Sequence, residues 1–105
     1  MEYRVCIHAY VTINKGTAQD TVFGQREVIL PFAPYNGLKL YSTQWAESIS
    51  EYVTLSDVHW DIDAGCFNAI TEISEDYTKD EASLSSWVSY FQDAFKNDGW
   101  VVAFP

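Results

Sequence analysis

The sequence predicts an α+β domain in which one long C-terminal helix packs on one face of a mostly antiparallel sheet of four to five strands. Residues 3–13 place apolar side chains on one face and mostly polar side chains on the other, a period-two pattern typical of a half-buried strand. Residues 84–95 instead carry apolar side chains at spacings of three and four, which indicates an amphipathic helix. With 105 residues, of which 48% are hydrophobic, the chain is expected to form a single domain over residues 1–105.

The first half of the chain predicts strands separated by two different kinds of loop. Residues 14–20 are polar and turn-rich, which predicts a loop before a second strand over residues 22–30, whose single glycine is a candidate β-bulge. Residues 31–37 contain two prolines, which remove backbone donors and therefore end the strand. Residues 38–41 predict a short strand, and residues 43–52 combine helical spacing with several serines, which we interpret as a weak helix or an irregular segment.

Alternation resumes over residues 53–74 and predicts a β-hairpin. If Ala64 and Gly65 form the turn, the apolar side chains of both strands share one face, whereas a slip of one residue would place Phe67 opposite an aspartate. The expected cross-strand pairs are Ile62 with Phe67, Trp60 with Ala69, Val58 with Thr71, Asp61 with Asn68 and Asp57 with Glu72.

The helix has the clearest sequence pattern. Thr78 and Glu81 fit a capping box, with Thr78 as the N-cap. Lys96 suits the negative end of the helix dipole, Gly99 suits the helix end, and residues 100–104 predict a closing strand. The apolar stripe, together with the other tryptophans, is assigned to the core: Trp45, Trp60, Leu84, Trp87, Val88, Phe91, Ala94, Phe95 and Trp100.

The charge is strongly acidic and unevenly distributed. The chain has 15 acidic and 6 basic residues, a formal net charge of −9. Residues 1–52 contribute −1 of this charge and residues 53–105 contribute −8. Because contact with a phosphate backbone needs clustered Lys and Arg, direct nucleic-acid binding is not expected.

The acidic half contains one regular constellation. Asp57, His59, Asp61 and Asp63 follow at spacings of two, so a continuous strand would place all four on one face. Three interpretations remain open: a solvated sheet face, a docking face for a basic protein, and a site for a hard cation such as Ca²⁺. The acidic candidates for partner binding are Asp57, Asp61, Asp63, Glu72, Glu75, Asp76, Asp80 and Glu81.

The proline-containing loop supplies two further candidates. Phe32 and Tyr35 flank Pro34 in a stiff segment, and aromatic side chains on a stiff loop lose little entropy on binding. The preferred interpretation is that both rings fold over the sheet edge, and the alternative is that they anchor an interface.

No motif is specific enough to name a family, and none predicts catalysis, a cofactor or a metal. The glycines are isolated, the Cys and His residues lack zinc-ligand spacing, and no nucleophile has a recognisable partner. The N-terminus lacks the features of a signal peptide, no apolar run is long enough to span a bilayer, and two cysteines without a secretory signal suggest reduced thiols. We therefore expect a cytoplasmic protein.

The preferred function is a small non-catalytic inhibitor that binds a basic protein, one that handles nucleic acid, with the acidic half acting as a nucleic-acid mimic. Phage anti-defence proteins and immunity-type proteins belong to this class of small acidic domains. One alternative is a metal- or small-ligand-binding domain that uses the face of Asp57, His59, Asp61 and Asp63. Another is a structural subunit that self-associates through an open sheet edge; the sequence leaves the oligomeric state undetermined.

Overall fold

A computed structural model describes residues 1–45 and 52–103. In this part of the chain, one five-stranded sheet has the strand order β5-β6-β1-β2-β7, and a two-stranded sheet joins β3 and β4. A helix, α1, packs against the larger sheet, which confirms the predicted α+β class. The bounds are β1 Tyr3–Lys15, β2 Ala18–Leu30, β3 Lys39–Tyr41, β4 Tyr52–Thr54, β5 Ser56–Asp61, β6 Cys66–Asp76, α1 Leu84–Asn97 and β7 Val101–Ala103.

The central strand β1 has partners on both sides. It pairs with β2 in an antiparallel hairpin without register shifts, and with β6 in a parallel ladder from Val5↔Phe67 to Asn14↔Asp76. The predicted loop over residues 14–20 is wrong, because a two-residue turn of Gly16, with a φ of +64°, and Thr17 joins the two strands. β2 therefore starts four residues earlier than predicted.

One face of β1 forms the centre of the core. Its odd-numbered residues from Val5 to Ile13 are buried, as the alternation predicts. Two elements cover this face, which we call the core face. The first is α1, and the second is the segment between β2 and β5. The covering side chains with the lowest exposure are Leu38, Trp45, Val53, Leu55, Phe91, Ala94 and Phe95.

The glycine in β2 has a packing role. The β1–β2 ladder runs through the pair Ala9↔Gly24 without interruption, so the predicted bulge is wrong. A Cβ atom on Gly24 would lie 3.0 Å from a ring carbon of Phe95, which is fully buried. The missing side chain therefore lets the helix lie directly on the sheet.

The helix begins five residues later than the capping-box prediction places it. Ser83 is the N-cap and accepts a hydrogen bond from the backbone N–H of Ser86. Thr78 is instead engaged in the loop, because its hydroxyl accepts from the backbone N–H of Gly16 and donates to Asp76. The predicted end is confirmed: α1 stops at Asn97, and Gly99 follows with a φ of +84°.

The remaining expectations are met in part. The short strand predicted over residues 38–41 is β3. The segment predicted over residues 43–52 to be a weak helix or irregular contains a 3₁₀ turn at Thr43–Trp45 and the start of β4. Residues 46–51 lie outside the described residues. β7 matches the predicted closing strand up to residue 103; residues 104 and 105 are not described. Within the described ranges, no helix has the length and apolar content needed to cross a membrane.

The contact between Gly24 and Phe95 gives a stability prediction. Gly24→Ala should lower the free energy of unfolding by about 1–3 kcal/mol, because the added methyl group overpacks a ring that has no room to move. Urea denaturation measures the change. The matched control is Gln25→Ala on the neighbouring exposed residue, which should change stability by less than about 0.5 kcal/mol. A Gly24→Ala variant as stable as the unmodified protein would contradict the described packing.

Candidate functional site

The predicted β5–β6 hairpin is present, but its register differs from the expected one by two residues. Asp61 pairs with Cys66 and Trp60 with Phe67, so the turn comprises the four residues 62–65 rather than Ala64 and Gly65. A shift of two residues keeps the side chains from His59 to Asp61 on their predicted faces but changes their cross-strand partners, and a β-bulge between Ser56 and His59 ends this alternation. The expected pairs of Asp61 with Asn68 and of Asp57 with Glu72 are therefore wrong.

The carboxylate of Asp61 holds this turn together. One oxygen accepts the backbone N–H groups of Asp63 and Ala64, each at 3.0 Å, and the other accepts the side-chain amide of Asn68 at 3.1 Å. These hydrogen bonds, led by that from Ala64, lower the pKa of Asp61. The Asn68 carbonyl oxygen lies 3.3 Å from Nε2 of His8, which extends the network to β1. Asp61 thus acts first as a structural residue.

The four-residue constellation does not form one face. His59 and Asp61 face away from the core, but Asp57 lies at a β-bulge with a φ of +49°, and Asp63 lies in the turn. The ring Nδ1 of His59 is 2.8 Å from the backbone oxygen of Asp57. In the described parts of the chain, no three His, Cys, Asp or Glu side chains come together to hold a metal ion. We call Asp57, Asp61 and Asp63 the turn cluster.

The aromatic side chains near the turn cluster are more exposed than predicted. Phe32 is 45% exposed and Tyr35 is 57% exposed, so the preferred interpretation that they fold over the sheet edge is wrong. Trp60, assigned to the core by its alternation, is 52% exposed and contacts Phe67 edge-on. The side chain of Asn36 accepts the backbone N–H of Val58 at 2.8 Å, which holds this loop against β5.

The other acidic candidates lie along β6 or beyond its far end. Glu72 is exposed on the face opposite the core, and Asp76 accepts hydrogen bonds from the backbone and hydroxyl of Thr78, which lower its pKa. Asp80 and Glu81 follow in the loop before α1. Because a strand rises about 3.3 Å per residue, Asp76 lies ~33 Å along β6 from Cys66 and its partner Asp61, whereas Asp57, next to the pair Ser56↔Ile70, lies ~20 Å from that end. The candidate residues are therefore spread along β6 rather than gathered in one patch.

Three aromatic side chains meet at the far end of β6. Tyr77 stacks on Trp87 with a centroid distance of 3.8 Å and an angle of 6° between the rings, and Tyr90 contacts Trp87 edge-on at 5.5 Å. Tyr90 is 52% exposed. A groove of about 320 Å³ opens beside these rings, lined by Ala82, Ser86, Trp87 and Tyr90.

Carboxylates surround this aromatic group. Asp80 accepts the backbone N–H of Ala82 at 2.7 Å and the indole N–H of Trp87 at 3.3 Å. The pKa of Tyr77 is raised, first by burial, then by repulsion of its phenolate by the Glu75 carboxylate, by Tyr90 when that phenol is also ionised, and by the Asp80 carboxylate. We call Glu75, Asp80, Glu81, Tyr77, Trp87 and Tyr90 the aromatic–acidic cluster.

Lys15 fixes the loop that carries part of this cluster. Its ammonium group donates hydrogen bonds to the backbone oxygens of Tyr77 and Asp80, and the backbone N–H of Tyr77 donates to Asn14. The carboxylates thus keep their charge while the backbone beneath them is held to β1. This arrangement can attract a cation and offer it an aromatic surface.

Sequence reasoning placed Tyr90 off the apolar stripe, which its exposure confirms, but missed the grouping of the three rings. It placed Trp87 in the core because Trp87 belongs to the helical stripe, and it left Tyr77 without a role. The useful signal is the i, i+3 pair Trp87 and Tyr90, which follows directly on an acidic loop; side chains at this spacing are neighbours on a helix surface.

The two thiols are free and do not form a reactive pair. Cys66 is buried and Cys6 is half-buried. In the β1–β6 register Cys6 lies opposite Asn68, so Cys66 lies diagonally across the ladder, on the order of 8 Å away at ordinary strand spacings and beyond easy disulfide reach. Burial is the main cause that raises the pKa of Cys6, and this reduces its thiolate fraction.

Comparison with protein-family models, with curated proteins and with solved structures finds no match to this chain.

The hydrogen bonds of Asp61 predict a pH-dependent effect on stability. Asp61→Ala should lower the midpoint of urea unfolding, because two turn N–H groups and the Asn68 amide lose their acceptor. Since the folded pKa is lowered, the carboxylate stabilises the fold above its unfolded pKa, and this contribution is lost as the pH falls through the folded value. The deficit should therefore be constant near neutral pH and narrow below about pH 4.

Asp63→Ala is the matched control, because it removes a carboxylate from the same turn but keeps the backbone N–H that Asp61 binds. It should leave the midpoint nearly unchanged. Equal deficits for the two variants, or an Asp61→Ala deficit independent of pH, would contradict the structural role of Asp61.

Proposed function

We propose that this chain is a small acidic, non-catalytic protein that binds a basic protein and blocks its access to nucleic acid. The observation that carries the proposal is the aromatic–acidic cluster, in which the exposed ring of Tyr90 and the half-buried rings of Tyr77 and Trp87 lie among carboxylates. The first half of the chain contributes little net charge, so the binding surface belongs to the half that carries −8.

The cluster combines the two properties that a protein interface for a cationic partner needs. Trp and Tyr are enriched among residues that dominate binding energies, because large rings bury area with little loss of side-chain entropy. Carboxylates around them steer a positively charged partner toward the surface and weaken wrong contacts. An arginine seated on Tyr90 would gain both the aromatic face and the neighbouring charge.

The position of the acidic groups supports the blocking role. The acidic groups are spread along β6 from Asp61, opposite Cys66, to Asp76 at its far end, a length of ~33 Å that is close to one helical turn of B-DNA, about 34–36 Å. Glu72 lies on the strand between them. Negative charge spread over this length suits a cationic groove that otherwise receives nucleic acid. Phage anti-defence and immunity-type proteins of the cytoplasm are the classes that this proposal favours.

The proposal predicts that binding of the basic partner weakens with salt and depends on the aromatic–acidic cluster more than on the turn cluster. Immobilised protein should capture a basic protein from the native host, and the purified partner should bind more weakly as salt increases. The double variant Glu75→Gln, Glu81→Gln should weaken binding by about tenfold, because each exposed charge contributes up to about 1 kcal/mol. Nucleic acid should compete for the same partner.

The control is the double variant Asp57→Asn, Asp63→Asn, which changes the net charge by the same amount in the turn cluster. Asn tolerates the left-handed backbone at residue 57, so this variant should fold. We expect it to weaken binding by less than about threefold if exposed charges far from the contact are screened. Binding that ignores salt and both variants would overturn the proposal.

The groove beside Tyr90 predicts that the Tyr90 ring contributes to partner binding independently of the net charge. Tyr90→Ala should weaken binding of the same partner by about tenfold or more, because it removes one wall of the groove while leaving the net charge unchanged. Tyr90→Phe keeps the ring and should retain most of the affinity. Calorimetric titration measures both, and equal affinities for the two variants would show that the groove is not part of the interface.

A further inference from the structure

The outer edge of β6 is paired along only part of its length. β5 covers it from Cys66 to Ile70, and no described strand pairs with residues 71–76 on that side. The opposite edge of β6 is paired with β1 through Asp76. The sheet therefore presents a free strand edge that runs directly into the aromatic–acidic cluster at Tyr77.

The directions of the backbone groups along this edge follow from hydrogen bonds on both sides. The backbone oxygen of Ile70 accepts from the Ser56 hydroxyl and so points toward β5. The backbone oxygen of Glu75 accepts from the Asn14 side chain, so it points toward β1. Because successive residues of a strand alternate, even-numbered residues point outward. Glu72, Ser74 and Asp76 consequently present their backbone N–H and C=O groups at the free edge.

We propose that this edge of β6 binds an extended, basic segment of a partner protein by strand addition, with Lys or Arg side chains opposite Glu72 and Asp76. The inference rests on the proposed function and specifies how the basic partner is bound. In strand addition, backbone hydrogen bonds supply affinity and alternate side chains supply specificity. The added strand would continue past Asp76 and bring a basic side chain to the groove beside Tyr90.

The charges on this edge select the partner. Glu72 and Asp76 face the side opposite the core, and Glu75 lies between them on the core face. Pairing with the same edge of a second copy would place carboxylates beside carboxylates, which is unfavourable, and charged edge residues are a common protection against self-association. A basic strand removes this repulsion. The half-buried Ile73 favours an apolar residue on the core-facing side of the added strand.

Amide hydrogen exchange tests the proposal with a defined probe. The probe is an eight-residue peptide that alternates lysine with valine, and its control is the same peptide with one central valine replaced by proline. The alternating peptide should slow exchange at the outward amides of Glu72, Ser74 and Asp76. The amides of Ile73 and Glu75 face β1, so their exchange should stay unchanged. The proline peptide should give little protection.

Two substitutions of Ser74 test the backbone edge of β6 without changing the charge of the chain. Ser74→Pro removes an outward N–H together with the hydroxyl that accepts from the Asn14 side chain, and should weaken peptide binding by about tenfold; Ser74→Ala also removes that hydroxyl, so the two variants differ at the backbone N–H. Ser74→Ala keeps the N–H and should bind within about twofold of the unmodified protein. Circular dichroism checks that both variants fold. Equal affinities of the two variants would overturn the proposal, as would peptide binding that leaves the three outward amides unprotected.

The failures of the two proposals are distinguishable. If the captured basic protein binds with strong salt dependence but leaves these amides unprotected, the proposed function stands and the edge is not its site. If the protein dimerises and protects the same amides without peptide, as light scattering and exchange would show, a second copy occupies the edge and the proposal is overturned.

Discussion

The parallel ladder between β1 and β6 is the interaction on which the rest of the structure depends. It places the buried stripe of β1 at the centre of the sheet and fixes, residue by residue, which groups of β6 point toward β1. Parallel neighbours require a crossover, and here the chain passes over the core face between β2 and β5; α1, which follows β6 and leads to β7, also packs on that face. Both coverings lie on the same face. The opposite face, with Tyr10, Thr12, Phe23 and Glu72, is left without a covering element among the described residues.

This arrangement decides where the acidic residues lie. β6 is longer than β5, so the extra length carries Glu72, Glu75 and Asp76 past the last cross-strand partner. The loop that follows must cross the end of the sheet to reach α1, and Lys15 and Gly16 of the β1–β2 turn hold it there. That constraint brings Tyr77 against Trp87. The aromatic–acidic cluster is therefore a product of unequal strand lengths rather than of any local sequence motif.

The sequence predicts the fold class, and which side chains share a face of a strand or helix, better than it predicts cross-strand partners and the ends of the elements. Alternation identifies β1, and the apolar stripe identifies α1, because burial acts directly on side-chain periodicity. Alternation cannot predict the register of the β5–β6 hairpin, because a shift of two residues leaves the face of each paired side chain unchanged. The hydrogen bonds of Asp61 that fix the register depend on the three-dimensional geometry of the turn. The assignment of Trp60 to the core is wrong for another reason: Trp60 has the periodicity of a core residue but lies on the edge strand β5, where fewer elements cover it.

The acidic residues that give the net charge of −9 play two different roles in the structure, and a count of residues does not distinguish these roles. Asp61 and Asp76 use their carboxylates for hydrogen bonds within the chain, and their lowered pKa values follow from those bonds. At Tyr77 the pKa of the phenol is raised, first by burial and then by the neighbouring carboxylates, which act on the ring through their charge. Asp80 also accepts hydrogen bonds within the chain, from Ala82 and Trp87, whereas no hydrogen bond or ion pair among the described residues engages the carboxylates of Glu75 and Glu81. Because these two carboxylates belong to a cluster that also holds the exposed ring of Tyr90, the aromatic–acidic cluster, rather than the more regular spacing of Asp57, Asp61 and Asp63, is the better candidate for recognition.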